Sequence, residues 1–435
     1  MGRLARGESV ALSTCYMTSP LLPKSVASHS NKATLPNNPM VVDMHDTARP
    51  FLVIYVAWHP DFEDGERLAR VLYDHYRRKL YENVAGGSGL PVVYRFLPAP
   101  DAATPIDIDL IDAETSAVVL LIDDHWVHDP DWVAWAQKLA QQADAKGLAA
   151  RVFPVAIDGS ATRIGLFEQA SRWDKWDGLS FEERQRRLII DLTHQLCRML
   201  RSYLEHLRRP KETGDILARY LRKVEIFISH SKHDEDGERI AKLIRRYVYE
   251  GDGLSSFFDV HDIPIGLQFN KVLLQKVKLS AVVAINTDSY SSREWCRREI
   301  IEAKRWNVPL VIANCMSDMD ERGFPYLGNV PVVRMDPITS DRIDVIVSKL
   351  LDEVLKDFLW RCWVQSAASD RDDVVFVPRP PELITLVGLE GKAQADVTLV
   401  YPEPPIGAEE QRLFEIIAPK VQLRSMTEWL AGRSI

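Results

Sequence analysis

One short stretch of this chain is written twice. Residues 64–72 read DGERLARVL and residues 236–244 read DGERIAKLI, the same order of charged and apolar positions repeated 172 places on, from Asp64 to Asp236. Residues 116–119 and 280–283 both read SAVV, 164 places apart from Ser116 to Ser280. Two matches in the same order, at nearly the same offset, mean that one supersecondary plan is used twice. Whatever fold the second copy takes, the first is expected to take too.

Each copy alternates short apolar runs with amphipathic ones. In the second, strands are expected at 224–229, 256–258, 281–286, 309–314 and 330–334, with helices at 237–249, 268–278, 292–306 and 341–360. The first gives strands at 51–57, 91–96, 117–122 and 151–157 and a long closing helix at 182–207. Continuous Val, Ile and Phe runs between amphipathic helices specify a parallel sheet covered on both faces. The expected class is α/β: two flavodoxin-like units, each an open parallel sheet of order 2-1-3-4-5 covered by helices, plus a small C-terminal α/β segment.

The chain of 435 residues divides accordingly. Residues 1–47 are rich in Ser, Pro, Asn and Thr, lack an apolar leader core, and are expected to be a disordered extension, with Met40 and Met44 as candidate starts. The first unit spans 48–209, a linker expected to be helical spans 210–222, and the second unit spans 223–362. The Pro-rich remainder, 363–435, offers a strand at 397–401 and a helix at 408–417. At roughly 70 residues it is too small for a large core of its own, so it is expected to dock on its neighbour or on a partner.

Composition narrows the function classes. A net charge of −8 opposes direct nucleic-acid binding, which needs a basic face. The five cysteines form no CxxC pair and no zinc-like spacing, the pattern of reduced thiols in a cytoplasmic protein. No apolar run approaches the roughly 20 residues needed to cross a membrane. The HxxH pairs His125/His128 and His230/His233 lack a third ligand, so no metal site is expected. Residues 86–89, GGSG, lack the GK[ST] ending of a phosphate-binding loop.

In a sheet of order 2-1-3-4-5 the ligand crevice lies beyond the carboxyl ends of strands 1 and 3. In the second copy it is bounded by 230–236 and 286–292, the latter leading into a helix that carries Trp295 and Glu299. Ser291 with Glu294 reads as a capping box starting that helix. Trp295 and Glu299, one turn apart, share a face, while Cys296, Ile300 and Ala303 form a stripe suited to the core. An aromatic ring beside a carboxylate suits a ligand with an aromatic part and a sugar part.

These residues resemble the TIR (Toll/interleukin-1 receptor) family in its bacterial, NAD-cleaving form. Ile226-Phe227-Ile228-Ser229 looks like its first box, Phe257-Phe258-Asp259 through Ile265-Gly266 like its second, and Trp295-Cys296-Arg297-Arg298-Glu299 like its WxxxE helix. The resemblance implies that Glu299 is catalytic in splitting NAD into nicotinamide and ADP-ribose or a cyclic form, with NAD as substrate and no separate cofactor. It implies further that Phe227, Ser229, Ser231 and Trp295 stand near the nicotinamide or ribose, and that His230 or Lys232 meets the phosphates. The mobile BB loop would contain Asp259, His261, Asp262, Pro264 and Gly266. Family members self-associate and serve in anti-phage defence or immune signalling, under a sensor or regulatory protein, and some are non-enzymatic scaffolds acting through TIR–TIR contacts. The first copy departs from the pattern. With Trp132 aligned on Trp295, Ala136 falls where Glu299 stands, and Val92-Val93-Tyr94-Arg95 replaces the FFD element, so it is expected to be TIR-like without the chemistry.

Overall fold

The computed structural model describes residues 49–77, 89–95, 97, 102–164, 170–209, 223–232, 234–250, 254–256, 258–261, 280–317, 324–367, 373–389 and 396–432. The expected N-terminal extension, the linker at 210–222 and the helix at 268–278 lie outside these residues. Thr47–Ile435 fold as one compact unit.

The first α/β unit contains β1 (Leu52–Trp58), α1 (Gly65–Tyr76), β2 (Val92–Arg95), β3 (Thr115–Ile122), α2 (Asp124–His128), α3 (Pro130–Lys146), β4 (Ala150–Ala156), β5 (Ser171–Arg172) and α4 (Phe181–Arg208). Its sheet runs β2-β1-β3-β4-β5, all parallel. The second contains β6 (Val224–Ser229), α5 (Glu235–Glu250), β7 (Phe258–His261), β8 (Ser280–Asn286), α6 (Glu294–Arg305), β9 (Leu310–Asn314), β10 (Val332–Arg334) and α7 (Ile343–Ala367). Its sheet runs β7-β6-β8-β9-β10, again parallel, so both copies have the order 2-1-3-4-5. Strand β3 is buried along its whole length, as a central strand covered on both faces must be.

The repeat extends to strand register. Ile54 pairs with Ala117 in the first sheet and Ile226 with Ala281 in the second, so the sequence offsets of 172 and 164 seen at Asp64/Asp236 and Ser116/Ser280 are also structural offsets.

Outer faces of the two sheets have separate apolar cores: Trp126, Trp132 and Trp135 fill the first, and Phe227, Tyr290, Cys296 and Ile300 the second. Inner faces share one continuous core, built where the long closing helices α4 and α7 pack together. Each fully buried Leu, Ile or Phe in that seam contributes on the order of 1.5–3 kcal/mol. Polar contacts fix the pairing: His75 Nε2 lies 2.9 Å from Asp352 Oδ1, and Arg186 Nε donates to Asp344 at 2.8 Å. Packing of Cys197 and Cys362 into the seam brings each thiol to a backbone carbonyl of the other helix, Leu351 at 3.7 Å and Leu200 at 3.3 Å.

The remainder forms a three-stranded parallel sheet, β11 (Val374–Phe376), β12 (Val397–Tyr401) and β13 (Val421–Ser425), with α8 (Leu383–Gly388), α9 (Ala408–Ile417) and α10 (Met426–Ala431). It docks on its neighbour. The Lys304 ammonium of α6 is 7% exposed and donates to both Glu382 oxygens at 2.7 and 2.8 Å. Arg379 donates to the Asn307 carbonyl at 2.6 Å just beyond α6. Gly388 has no room for a side chain there, since a Cβ would stand 2.6 Å from the Arg305 carbonyl oxygen.

Several boundaries differ from the sequence reading. The second strand of the second sheet begins at Phe258 rather than Ser256, because 254–256 close a 3-10 turn first. Strand β5 is too short for any periodicity to register, and so escaped the sequence reading. The Ser291/Glu294 capping box does not form: α6 begins at Glu294 with Arg293 as its N-cap and no side-chain cap bond. Ser292 instead donates to the Ser289 carbonyl at 2.7 Å, within a 3-10 turn over Tyr290–Ser292.

Candidate active site

Strand β6 ends at Ser229 and strand β8 at Asn286, so the loops that follow them meet at the point where the winding of the sheet reverses. Asp234 joins the two. Its Oδ1 accepts from the backbone N–H groups of Asp236 and Gly237 at 3.0 and 3.3 Å, opening helix α5, and its Oδ2 accepts from the Ser289 hydroxyl at 3.0 Å across the crevice. Helix α5 comes so near the first loop that a Cβ on Gly237 would stand 3.3 Å from the Ser231 carbonyl oxygen. Both walls of the crevice are thereby held at fixed spacing.

Helix α6 packs Cys296, Ile300 and Ala303 into the core beside β8 and β9, as their spacing requires. That rotation turns Glu299 toward the end of β6. The Ser229 hydroxyl, itself 1% exposed, donates to Glu299 Oε2. Behind Ser229 stands the phenol of Tyr290, fully buried, with its oxygen 2.6 Å from Ser229 Oγ. Burial is the main influence on Glu299 and pushes its carboxyl up to about 7; the Ser229 hydrogen bond and the Lys232 charge pull the other way. At neutral pH this carboxyl is poised between its two forms. The neighbouring acids stay protonated there: burial pushes the Cys296 thiol up to about 12 and the Tyr290 phenol well above its usual range.

Of the other residues singled out in the sequence, Ser231 is 1% exposed and its hydroxyl has no hydrogen-bond partner among the described residues. The Nδ1 of His230 is likewise enclosed without a partner there. Lys232 is exposed on the same loop and its charge reaches Glu299. Phe227 is enclosed in the apolar core with Tyr290 and Ile300, so its side chain supports the floor of the site from below. Trp295 is 60% exposed, with the Arg298 guanidinium 5.4 Å from its ring centre, and so stands on the outer surface of α6. Asp259 and His261 fall within β7; Asp262, Pro264 and Gly266 lie outside the described residues.

Tyr290, Asp234 and Ser289 were not foreseen. Read as sequence, residues 286–292 are a Ser-rich loop, and nothing in that composition marks one tyrosine as fully buried beneath the crevice.

A TIR family model matches residues 226–336, the stretch from β6 to just beyond β10. Residues 226–336 are a TIR domain. No curated protein matches the chain. Among solved structures, a tagatose-6-phosphate ketose/aldose isomerase from Escherichia coli is similar at 9% identity, over 72% of this chain and 83% of its own, with a TM-score of 0.18. A likeness that low carries no argument about fold or activity.

The shared register allows the TIR crevice to be compared with its counterpart in the first unit. Helices α3 and α6 begin at Pro130 and Glu294, keeping the offset of 164 set by Ser116 and Ser280. Tyr290 then corresponds to Trp126, both fully buried, and Ser229 to Ala57. Glu299 corresponds to Trp135, which is 6% exposed. Aligning Trp132 with Trp295 would put Ala136 there, but Trp132 is buried whereas Trp295 is exposed, so that alignment is one residue out. At the mouth, Trp58 lies directly over Gly65, leaving no room for a Cβ on that glycine.

Proposed function

We propose that the TIR domain is an NAD glycohydrolase with Glu299 as its catalytic carboxylate. The observation that carries this reading is a carboxyl with a pKa of about 7, held at the switch point of the sheet by a buried serine, in the WxxxE helix of a TIR domain. In the reaction the bond between nicotinamide and C1′ of the ribose breaks, its electron pair passing to the pyridinium nitrogen. The ribose becomes oxocarbenium-like, and ionised Glu299 stabilises that positive charge or holds the ribose hydroxyls. Water adds at C1′ and releases one proton, giving ADP-ribose; attack by the adenine of the same molecule gives the cyclic form instead.

His230, Ser231 and Lys232 form one loop beside Glu299, and we assign them to the ribose and phosphates. The enclosed, unpartnered Ser231 hydroxyl and His230 nitrogen support this, since polar groups left unsatisfied when buried are costly unless a ligand satisfies them. Trp295 and the loop containing Asp259, His261, Asp262, Pro264 and Gly266 are assigned to assembly between TIR domains and closure of the site. The chain is read as a cytoplasmic effector in anti-phage defence or immune signalling, active on self-association and answerable to a sensor protein. On this reading 48–209 is a degenerate TIR-like domain, joined through 210–222 to the TIR domain at 223–362 and a small C-terminal segment at 363–435. Among the described residues no helix is long and apolar enough to cross a membrane.

The test is incubation of the full chain with NAD over a range of protein concentrations, with the products separated by chromatography and Glu299→Ala run in parallel. Nicotinamide release by the parent protein that steepens with concentration and is lost in the variant is expected. Absence of release at every concentration would leave a scaffold acting through TIR–TIR contacts.

A further inference from the structure

We infer that Tyr290 is a positioning residue for Glu299, acting through Ser229, and that it leaves one carboxylate oxygen free for the substrate. This rests on the reading of Glu299 as the catalytic group. The argument is one of donors and acceptors. An ionised carboxylate only accepts, so the hydroxyl between Ser229 and Glu299 must be donated by Ser229. Having spent its one proton, Ser229 Oγ can only accept from Tyr290, whose oxygen stands 2.6 Å away. The direction Tyr290 to Ser229 to Glu299 is thereby fixed whenever Glu299 is charged. Both hydroxyls are buried, Tyr290 completely, so water is not at hand to replace either bond.

Two consequences follow. Oε2 is committed inward, whereas Oε1 accepts no hydrogen bond from the described residues and is not among the enclosed unpaired atoms. Oε1 is therefore the oxygen that meets the ribose. Without the Tyr290 hydroxyl, Ser229 loses the donation that polarises it, its hydrogen bond to ionised Glu299 weakens, and the neutral form gains. The other groups that bear on Glu299 do not substitute for the relay: Lys232 acts from the loop as a charge at the exposed side, and Cys296 remains a neutral thiol.

The experiment is a carboxyl-carbon NMR titration of the full chain labelled at glutamate, with Glu299→Gln used to assign the signal. In the parent protein the Glu299 signal is expected to titrate near 7. Tyr290→Phe, which keeps the buried ring, is expected to raise that midpoint by roughly 0.5–1 pH unit, the size of one neutral hydrogen bond. Ser229→Ala should raise it further. In steady-state assays Tyr290→Phe should lower kcat, move its acid limb upward with the NMR midpoint, and change KM less than about twofold. A residue that only packed would lower the melting temperature and leave the midpoint where it was. An unmoved midpoint in Tyr290→Phe overturns the relay, whatever Ser229→Ala does. A midpoint that moves in a protein releasing no nicotinamide supports the relay and counts against the enzyme reading, so the two failures are told apart.

Discussion

The two α/β units share a strand order and a register, yet their crevices are built from opposite materials. At the end of β6 stand Ser229, Tyr290 and Glu299, linked by hydrogen bonds; at the end of β1 the same three places hold Ala57, Trp126 and Trp135. One arrangement sets a half-buried carboxyl in the crevice, and the other fills the space with aromatic rings packed edge to face, 4.7 Å between the centres of Trp126 and Trp132. The framework is indifferent to its crevice. A sheet of this order positions whatever follows strands 1 and 3, and the side chains there decide between chemistry and packing.

The largest expected effect is catalytic. Glu299→Gln should lower kcat for nicotinamide release by on the order of 10²–10³ or more, the loss typical of one missing electrostatic stabiliser. Trp135→Glu in the first unit should give no cleavage in that background, because neither a serine at the Ala57 position nor an open mouth beside Trp58 receives the new carboxylate. Recovery of activity by Trp135→Glu would mean that the first crevice can accept the chemistry after all.

Next come opposite effects on stability. Trp135→Ala should cost about 3–5 kcal/mol, as expected for an aromatic core residue, read as a lower denaturant midpoint. Glu299→Gln should do the reverse at alkaline pH. Because the folded pKa of about 7 lies above the unfolded value, the unfavourable contribution of Glu299 is absent below about 4.5, grows as pH rises, and is complete above 7. At pH 8 the variant should be more stable than the parent by on the order of 1–3 kcal/mol, and near pH 4 the two should coincide. Equal stability at both pH values would mean that the half-buried carboxyl costs nothing.

A change at the boundary with the C-terminal sheet has a smaller expected effect. Glu382→Ala leaves the nearly enclosed Lys304 ammonium without its carboxylate and should destabilise the chain by roughly 2–3 kcal/mol. It should also slow NAD cleavage modestly, since Lys304 lies on the helix that carries Glu299. Smallest of all, Lys232→Ala should raise the acid limb of kcat by a few tenths of a pH unit, roughly what one solvent-screened charge contributes. A drop in that limb would contradict the sign of the Lys232 influence.

Much of this was legible in the residues. The repeat at Asp64 and Asp236 specified two copies of one fold, and continuous apolar runs such as that of β3 specified parallel sheets. The stripe of Cys296, Ile300 and Ala303 set the rotation of α6 and hence the direction of Glu299. What was hidden depended on contacts between distant segments. Ser291 and Glu294 have the spacing of a capping box, but a 3-10 turn took up Ser292 and moved the helix start. Matching Trp132 to Trp295 looked natural as text and failed on burial, because a tryptophan carries no mark of which face it lies on. Tyr290 could not be assigned, since only the meeting of β6 with the turn before α6 brings its hydroxyl to Ser229. The shared core of α4 and α7 was equally invisible, as periodicity gives a buried face without naming its partner.

The role of Glu299 is decided by single-turnover nicotinamide release from NAD between pH 5 and 9, by the parent chain and by Glu299→Gln. The rate should rise with pH to a plateau with a midpoint near 7 in the parent, and stay low and flat in the variant. Equal release from both proteins, or a parent rate that falls as Glu299 ionises, would contradict it.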